Sequence, residues 1–405
     1  MGFLSNTLEK IDTKGLLKEA APVIGYPTQL YPLDFRNGYE VNVYDDNGKI
    51  IDRWANIGLF GGTFITVTGK TGTAKSAYCT TAAAAICAGF DEAEIHILDI
   101  EGSYNVSRII KLTGYDYDEY VNKVKYHDEF QYIEDVFEFI VAIGNTKLNN
   151  KEVFAVENKR KNEFGMVRPA MAPTVIILDS LPMVMTKELE GIEGMATQMY
   201  NQRRNQQISQ FYKRLRPIMR KANITVFVVN HLNPKIETNP FAKTQAQIMY
   251  MAQDEAMPGG NAPLYLAQTV LKFIYGGKFT IEKDGFDGFA IRVLLVKSKT
   301  NRAGTTCTLI YDSEYGFDKY RTMFYFLKEH ELIEGRNPYL YIKGMPDMKF
   351  SSKDFHNACE QNFDLFKRAV TVASPILYGY LGNVEDLESY SESNEEILKR
   401  MGQIE

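Results

Sequence analysis

Residues 65–89 read ITVTGKTGTAKSAYCTTAAAAICAG. A β-branched run (65–68) leads into a loop with two glycines and a Lys-Ser pair, then into a segment dominated by the best helix former, alanine. Strand, glycine-bearing loop and helix in this order predict a phosphate-binding loop. Backbone N–H groups and the helix N-terminus would face a β-phosphate, with Lys75 bridging the β- and γ-phosphates and Ser76 on Mg²⁺. Gly69, Thr71, Gly72, Thr73, Ala74, Lys75, Ser76 and Ala77 are the candidate nucleotide contacts, with ATP and Mg²⁺ the expected cofactors. Ala74 stands where the strict pattern has glycine: it is strained if the turn needs φ > 0, and fits if only a small side chain is required.

Outward from this stretch, the apolar runs EIHILDI (94–100), TVIILDS (174–180) and ITVFVVN (224–230) alternate with longer helical segments. That rhythm predicts an α/β core, a mostly parallel sheet with helices on both faces. The later runs TVLKFIYG, FAIRVLLVKSK and TCTLIYD predict a β-meander that extends it. Parallel strands end at one edge, so the polar residues closing each run are candidates for a shared site. Glu101 is placed to orient or deprotonate an attacking water, although a helix cap also accounts for it. Asp179 is placed to hold the Mg²⁺ water shell. Asn230 and His231 are placed to sense a γ-phosphate, against the plainer reading of a structural histidine.

The whole chain has 45% hydrophobic and 24% charged residues over 405 positions, which excludes disorder as the main state. Its longest apolar stretches fall short of the roughly 18–20 residues a membrane span needs, and no charged-then-apolar leader opens it. A soluble cytoplasmic protein with no membrane partner is expected. Cys79, Cys87, Cys307 and Cys359 form no CxxC pair, which argues against a zinc ribbon or a disulfide scaffold. Residues 1–25 predict a short amphipathic helix needing a partner surface, either its own core or a neighbouring subunit. Residues 26–56 predict a β-hairpin region, 57–318 the core, and 319–405 a helical region with an acidic tail. The net charge of −5 hides a basic run containing Arg203, Arg204, Lys213, Arg214, Arg216, Arg220 and Lys221.

The order of motifs resembles the RecA family of DNA strand-exchange ATPases, and most closely the UvsX-like recombinases of tailed phages. The residues that carry it are GKTGTAKS; DIEGS (99–103); VIILDS (175–180); VNH (229–231), where His231 replaces a glutamine; PGGNA (258–262); and VKSKTNRAGTTCTLIYDSEYGFD (296–318). They span roughly residues 57 to 320. The resemblance implies a RecA-like P-loop ATPase core and a helical filament on single-stranded DNA that pairs with homologous duplex. It also implies that Lys297 and Lys299 reach a neighbour's γ-phosphate.

By the same resemblance, KELEGIEGMATQMYNQRRNQQ (187–207) stands at the first DNA loop. Arg203, Arg204, Lys213 and Arg214 are its candidate phosphate contacts, against the reading of a solvated basic helix face. Residues 232–260 stand at the second DNA loop, where Gly259, Gly260 and Asn261 let a DNA backbone approach, or else form a surface turn. The acidic tail reads as a solvated end or as a DNA mimic. A loader and a single-strand-binding protein are further partners the family implies. Two rivals remain: a hexameric ring helicase with Arg302 as an arginine finger, and a non-catalytic ATP-binding mediator, supported by Ala74.

Overall fold

In the computed structural model the described residues are 24–45, 47–157, 160–167, 170–189, 198–234, 250–252 and 255–382. All but residues 24 and 25 of the expected helix at 1–25, most of the second DNA loop, Gly191 and Gly194 of the first, and the acidic tail lie outside them; Gly25 is in a short strand paired with Phe60. Helix α1 (Tyr31–Asn37) precedes a hairpin of β1 (Tyr39–Tyr44) and β2 (Ile50–Asn56). The core follows with β3 (Phe64–Gly69), α2 (Lys75–Cys87), β4 (Glu94–Asp99), α3 (Val106–Thr113), β5 (Val124–His127), α4 (Ile133–Asn149), β6 (Thr174–Asp179), α5 (Gln198–Ala222) and β7 (Ile224–His231). It continues with β8 (Thr269–Phe279), β9 (Gly288–Ser298), β10 (Thr306–Asp312) and β11 (Gly316–Phe317), then helix α6 (Lys319–Glu329), strands β12 (Ile333–Arg336) and β13 (Tyr339–Ile342), and helices α7 (Phe355–Gln361) and α8 (Phe363–Gly379).

One nine-stranded sheet has the order β11-β10-β9-β8-β3-β7-β6-β4-β5. The strands from β8 to β5 are mutually parallel, and β9 to β11 pair antiparallel beyond β8. Alternation along each strand assigns its side chains to two layers. Val175 and Ile177 of β6 join α2 and α3 on one face, whereas Ile176 and Leu178 join α4 and α5 on the other. Both faces being covered, β6 is buried along its whole length, which is why it reads as an unbroken apolar run.

The region 26–56 differs from expectation in containing α1. Pro32 in the first turn pre-sets φ for a helix instead of breaking it, and seven residues are too few for a periodicity to show. Tyr31 and Phe35 pack with Phe324, Phe355 and Phe366, so this N-terminal piece shares a core with the C-terminal helices. A hairpin of β12 and β13 interrupts that helical region. At the joint with the sheet, Arg321 donates to Asp312 (2.8 Å) and Asp318 (2.6 Å), and His356 lies 2.6 Å from the same Asp318 oxygen. Among the described residues, no helix is long and apolar enough to cross a membrane.

Candidate functional site

The loop between β3 and α2 lies at the C-terminal edge of the parallel strands. Its first residue must be glycine, because a Cβ at Gly69 would sit 2.5 Å from the carbonyl oxygen of Phe273 on β8. Gly72 has φ 78° and Ala74 has φ 56°, ψ 31°. Ala74 therefore occupies the left-handed region that glycine tolerates freely. As the N-cap of α2 it offers no side-chain acceptor, and the first turn carries no acid, so the N–H groups of Lys75, Ser76 and Ala77 open toward the loop. The Lys70 carbonyl accepts from both Thr73 Oγ1 (2.8 Å) and Lys75 Nζ (2.9 Å). Thr71 is exposed. Burial lowers the pKa of the Lys75 ammonium, opposed by the nearby carboxylates of Asp179 and Glu101.

Those carboxylates arrive from neighbouring strands. Asp99 pairs in register with Asp179, and the N–H groups of Ile100 (2.7 Å) and Glu101 (3.3 Å) donate to the Asp179 carbonyl. The turn after β4 is fixed by Asp99, which accepts from Ser103 N (3.1 Å), Tyr104 N (2.9 Å) and Tyr126 OH (3.0 Å). Glu101 is thereby directed across the sheet edge, where Ser180 donates to it and His231 Nε2 lies 2.9 Å away. Burial tends to raise the Glu101 pKa, but the Ser180 and His231 contacts and the Lys75 charge outweigh it and hold the carboxyl below its ordinary range. Ser180, reached through a cis Asp179–Ser180 peptide, had no signal in the sequence beyond its position after the strand.

Asp179 is almost fully enclosed. Burial pushes it up to about 6, the Ser76 and Tyr104 hydroxyls opposing and Glu101 and Asp99 reinforcing the shift. Its Oδ2 is buried with no hydrogen-bond partner among the described residues. An orphaned carboxylate oxygen beside a serine fits a cation or its water shell, so Ser76 and Asp179 are the residues that could hold Mg²⁺. Among the described residues, no group of three His, Cys, Asp or Glu side chains could hold a metal by itself.

Asn230 is turned inward, accepting from His231 N (2.9 Å) and donating to the Pro258 carbonyl (2.9 Å). It connects β7 to the 258–262 turn instead of facing the loop, and of the two residues His231 alone reaches Glu101. Gly259 and Gly260 also differ from expectation. Gly259 is buried, and a Cβ there would meet Leu181 (3.0 Å), Pro263 (3.1 Å) and Ile208; one at Gly260 would meet Asn205 (3.1 Å). The close approach these glycines permit is that of α5 and its neighbours, not of an outside backbone. Asn261 remains exposed.

On α5, Arg203, Lys213 and Arg214 are exposed, with the Arg214 guanidinium 4.7 Å from the Phe137 ring centre. Arg204 is committed elsewhere: it donates to the carbonyls of Leu181 (2.9 Å), Pro182 (2.9 Å) and Val184 (3.2 Å), fixing the turn after β6. Lys297 and Lys299 are not brought to Lys75. Lys297 pairs with Val270 near the start of β8, and Lys299 N donates to Gln268 O (3.1 Å). By register Lys297 is level with Thr66 of β3 and Lys299 is near the level of Phe64, about 10 and 17 Å respectively along the strand direction from Gly69. No protein-family model matches the sequence, and no curated protein matches it either.

Proposed function

We propose that this chain is an ATP- and Mg²⁺-dependent DNA recombinase with a RecA-like P-loop core, polymerising on single-stranded DNA. The observation that carries the reading is the convergence of the Lys75–Ser76 loop, Asp179 and Glu101 on one sheet edge from three separate strand ends. The α2 N–H groups and Lys75 would bind the β- and γ-phosphates, and Lys75 would exchange the Lys70 carbonyl for them. Ser76 and Asp179 would hold Mg²⁺, which when bound neutralises charge on the phosphates. Glu101, kept ionised, would orient a water for in-line attack: the water oxygen bonds to the γ-phosphorus as its bond to the β–γ bridging oxygen breaks, and Glu101 takes the water's proton.

The recombinase reading is favoured over a self-contained hydrolase by Lys297 and Lys299. They lie away from their own chain's loop, and Lys297 would exchange the Leu264 and Tyr265 carbonyls it now bonds for the γ-phosphate of a nucleotide on another copy. Exposed Arg203, Lys213 and Arg214 would supply sequence-independent phosphate contacts. The test is electron microscopy of the protein on long single-stranded DNA with Mg²⁺ and a slowly hydrolysed ATP analogue, beside a nucleotide-free control. Nucleotide-dependent helical filaments are expected. Closed rings would assign a helicase-like motor with exposed Arg302 as its finger, and absence of any nucleotide-dependent assembly would refute both.

A further inference from the structure

A cavity of about 790 Å³ opens at the N-terminal edge of the parallel strands, opposite the Gly69–Ser76 loop. Lys151, Arg216, Arg220, Lys221 and Lys299 line it, and no acidic residue does. None of these five has an ion-pair partner among the described residues. Lys297 adjoins this group: burial lowers its pKa to about 8, and repulsion from Lys299 and Arg216 adds to the effect. Lys299 is lowered too, by burial and then by Arg216. Lys297 Nζ donates to the carbonyls of Leu264 (3.0 Å) and Tyr265, but no carboxylate among the described residues neutralises the group; like charges gathered here cost free energy in the isolated chain, and an anion arriving at the cluster would repay it.

We infer that Arg216 completes a three-cation site with Lys297 and Lys299, and that this site takes the terminal phosphates of a nucleoside triphosphate held at the Gly69–Ser76 loop of a second copy of this chain. The inference rests on the proposed function and deepens it by adding a residue that no motif indicated. Arg216 sits near the C-terminal end of α5, which runs back from the loop edge to the start of β7. Within its own chain it is therefore a strand length from Lys75 and serves only a neighbour. Of the three cations it alone has a planar fork able to grip two phosphate oxygens.

The experiment uses full-length protein, long single-stranded DNA, Mg²⁺ and ATP, and reads DNA-stimulated hydrolysis. Arg216→Gln is expected to lose at least about tenfold, and Arg216→Lys, which keeps the charge, to lose less. Mixing Arg216→Gln with Lys75→Ala is expected to restore hydrolysis that neither has alone, because a Lys75→Ala subunit still presents intact cations to its neighbour. The double variant Lys297→Ala, Lys299→Ala mixed with Lys75→Ala is the companion measurement. Recovery there without recovery for Arg216→Gln would overturn the role of Arg216 and leave the proposed function standing; recovery in neither would overturn the proposed function itself. Wild-type stimulation in Arg216→Gln, or a loss repaired by saturating DNA, would also overturn the inference, the latter making Arg216 a DNA contact.

Discussion

Asp179→Asn is expected to stabilise the chain above neutral pH and, under the proposed function, to abolish ATP hydrolysis. The size of the gain follows from the enclosure of the carboxylate. Asp179 is 1% exposed at the end of β6, and its Oδ2 has no hydrogen-bond partner among the described residues. Burial pushes it up to about 6 from 3.8, with Ser76 and Tyr104 opposing the change. The native chain thus binds this proton more tightly than the unfolded chain does. Stability from this group is full below the unfolded pKa, near pH 4, and is lost as pH rises through about 6. The interval corresponds to about 3 kcal/mol at alkaline pH, an upper figure because asparagine must still find a partner for its amide. Urea unfolding of both proteins from about pH 4 to about pH 8, without nucleotide, measures the difference. Near-equal stability at the acid end and an advantage for the variant growing through pH 6 are expected. A difference independent of pH, or a variant less stable at pH 8, would refute the reasoning.

Ala74→Gly is expected to raise stability by about 0.5–1 kcal/mol, since a left-handed residue with a Cβ costs about 1–2 kcal/mol and the extra freedom of an unfolded glycine returns part of it. A fall in the urea midpoint would show that the Ala74 methyl, packed against the core under α2, matters more than the backbone. Lys147 on α4 is buried, donating to Ala172 O (2.7 Å) and Thr174 Oγ1 (2.9 Å), and burial lowers it to about 7. The unfolded chain therefore holds this proton over a range where the native chain has released it, and stability rises with pH from about 7 toward 10.5. Lys147→Met is expected to remove that rise, so thermal unfolding should favour the variant near neutrality and not near pH 10. Parallel pH profiles for the two proteins would dismiss a titrating Lys147.

The parallel strands were legible because covering both faces demands residues such as Val175–Leu178, apolar at every position. The meeting of Glu101 and Asp179 was legible for a related reason: parallel strands in register deliver their last residues to one edge. What the sequence withheld were the directions of side chains. Arg204 reads as one more cation in a basic run, yet three carbonyls of the preceding turn hold its guanidinium. Gly259 reads as a site for a guest backbone, yet Leu181 and Pro263 fill the space a Cβ would need. Asn230 and His231 are adjacent, but strand alternation sends one inward to Pro258 and the other to Glu101. α1 escaped because its helix is short and its stability comes from Phe324, Phe355 and Phe366, some three hundred residues away along the chain.

Under the proposed function, the position of Glu101 explains how hydrolysis could be withheld until DNA is bound. One of its oxygens is shared by Ser180 and His231, so the carboxylate is ionised but its acceptor capacity is partly spent. Withdrawal of His231 would free that oxygen to accept from a water as well. His231 ends β7, and its own N–H is held by Asn230, whose amide grips Pro258. A second tie runs from buried Lys272 on β8 to Glu255, beside the same turn. Any ligand that shifts residues 255–262 therefore pulls on the strand end that restrains Glu101. The coupling needs only one displaced hydrogen bond, from His231 to Glu101, because Asn230 and Lys272 are buried and cannot absorb the movement by swinging into solvent.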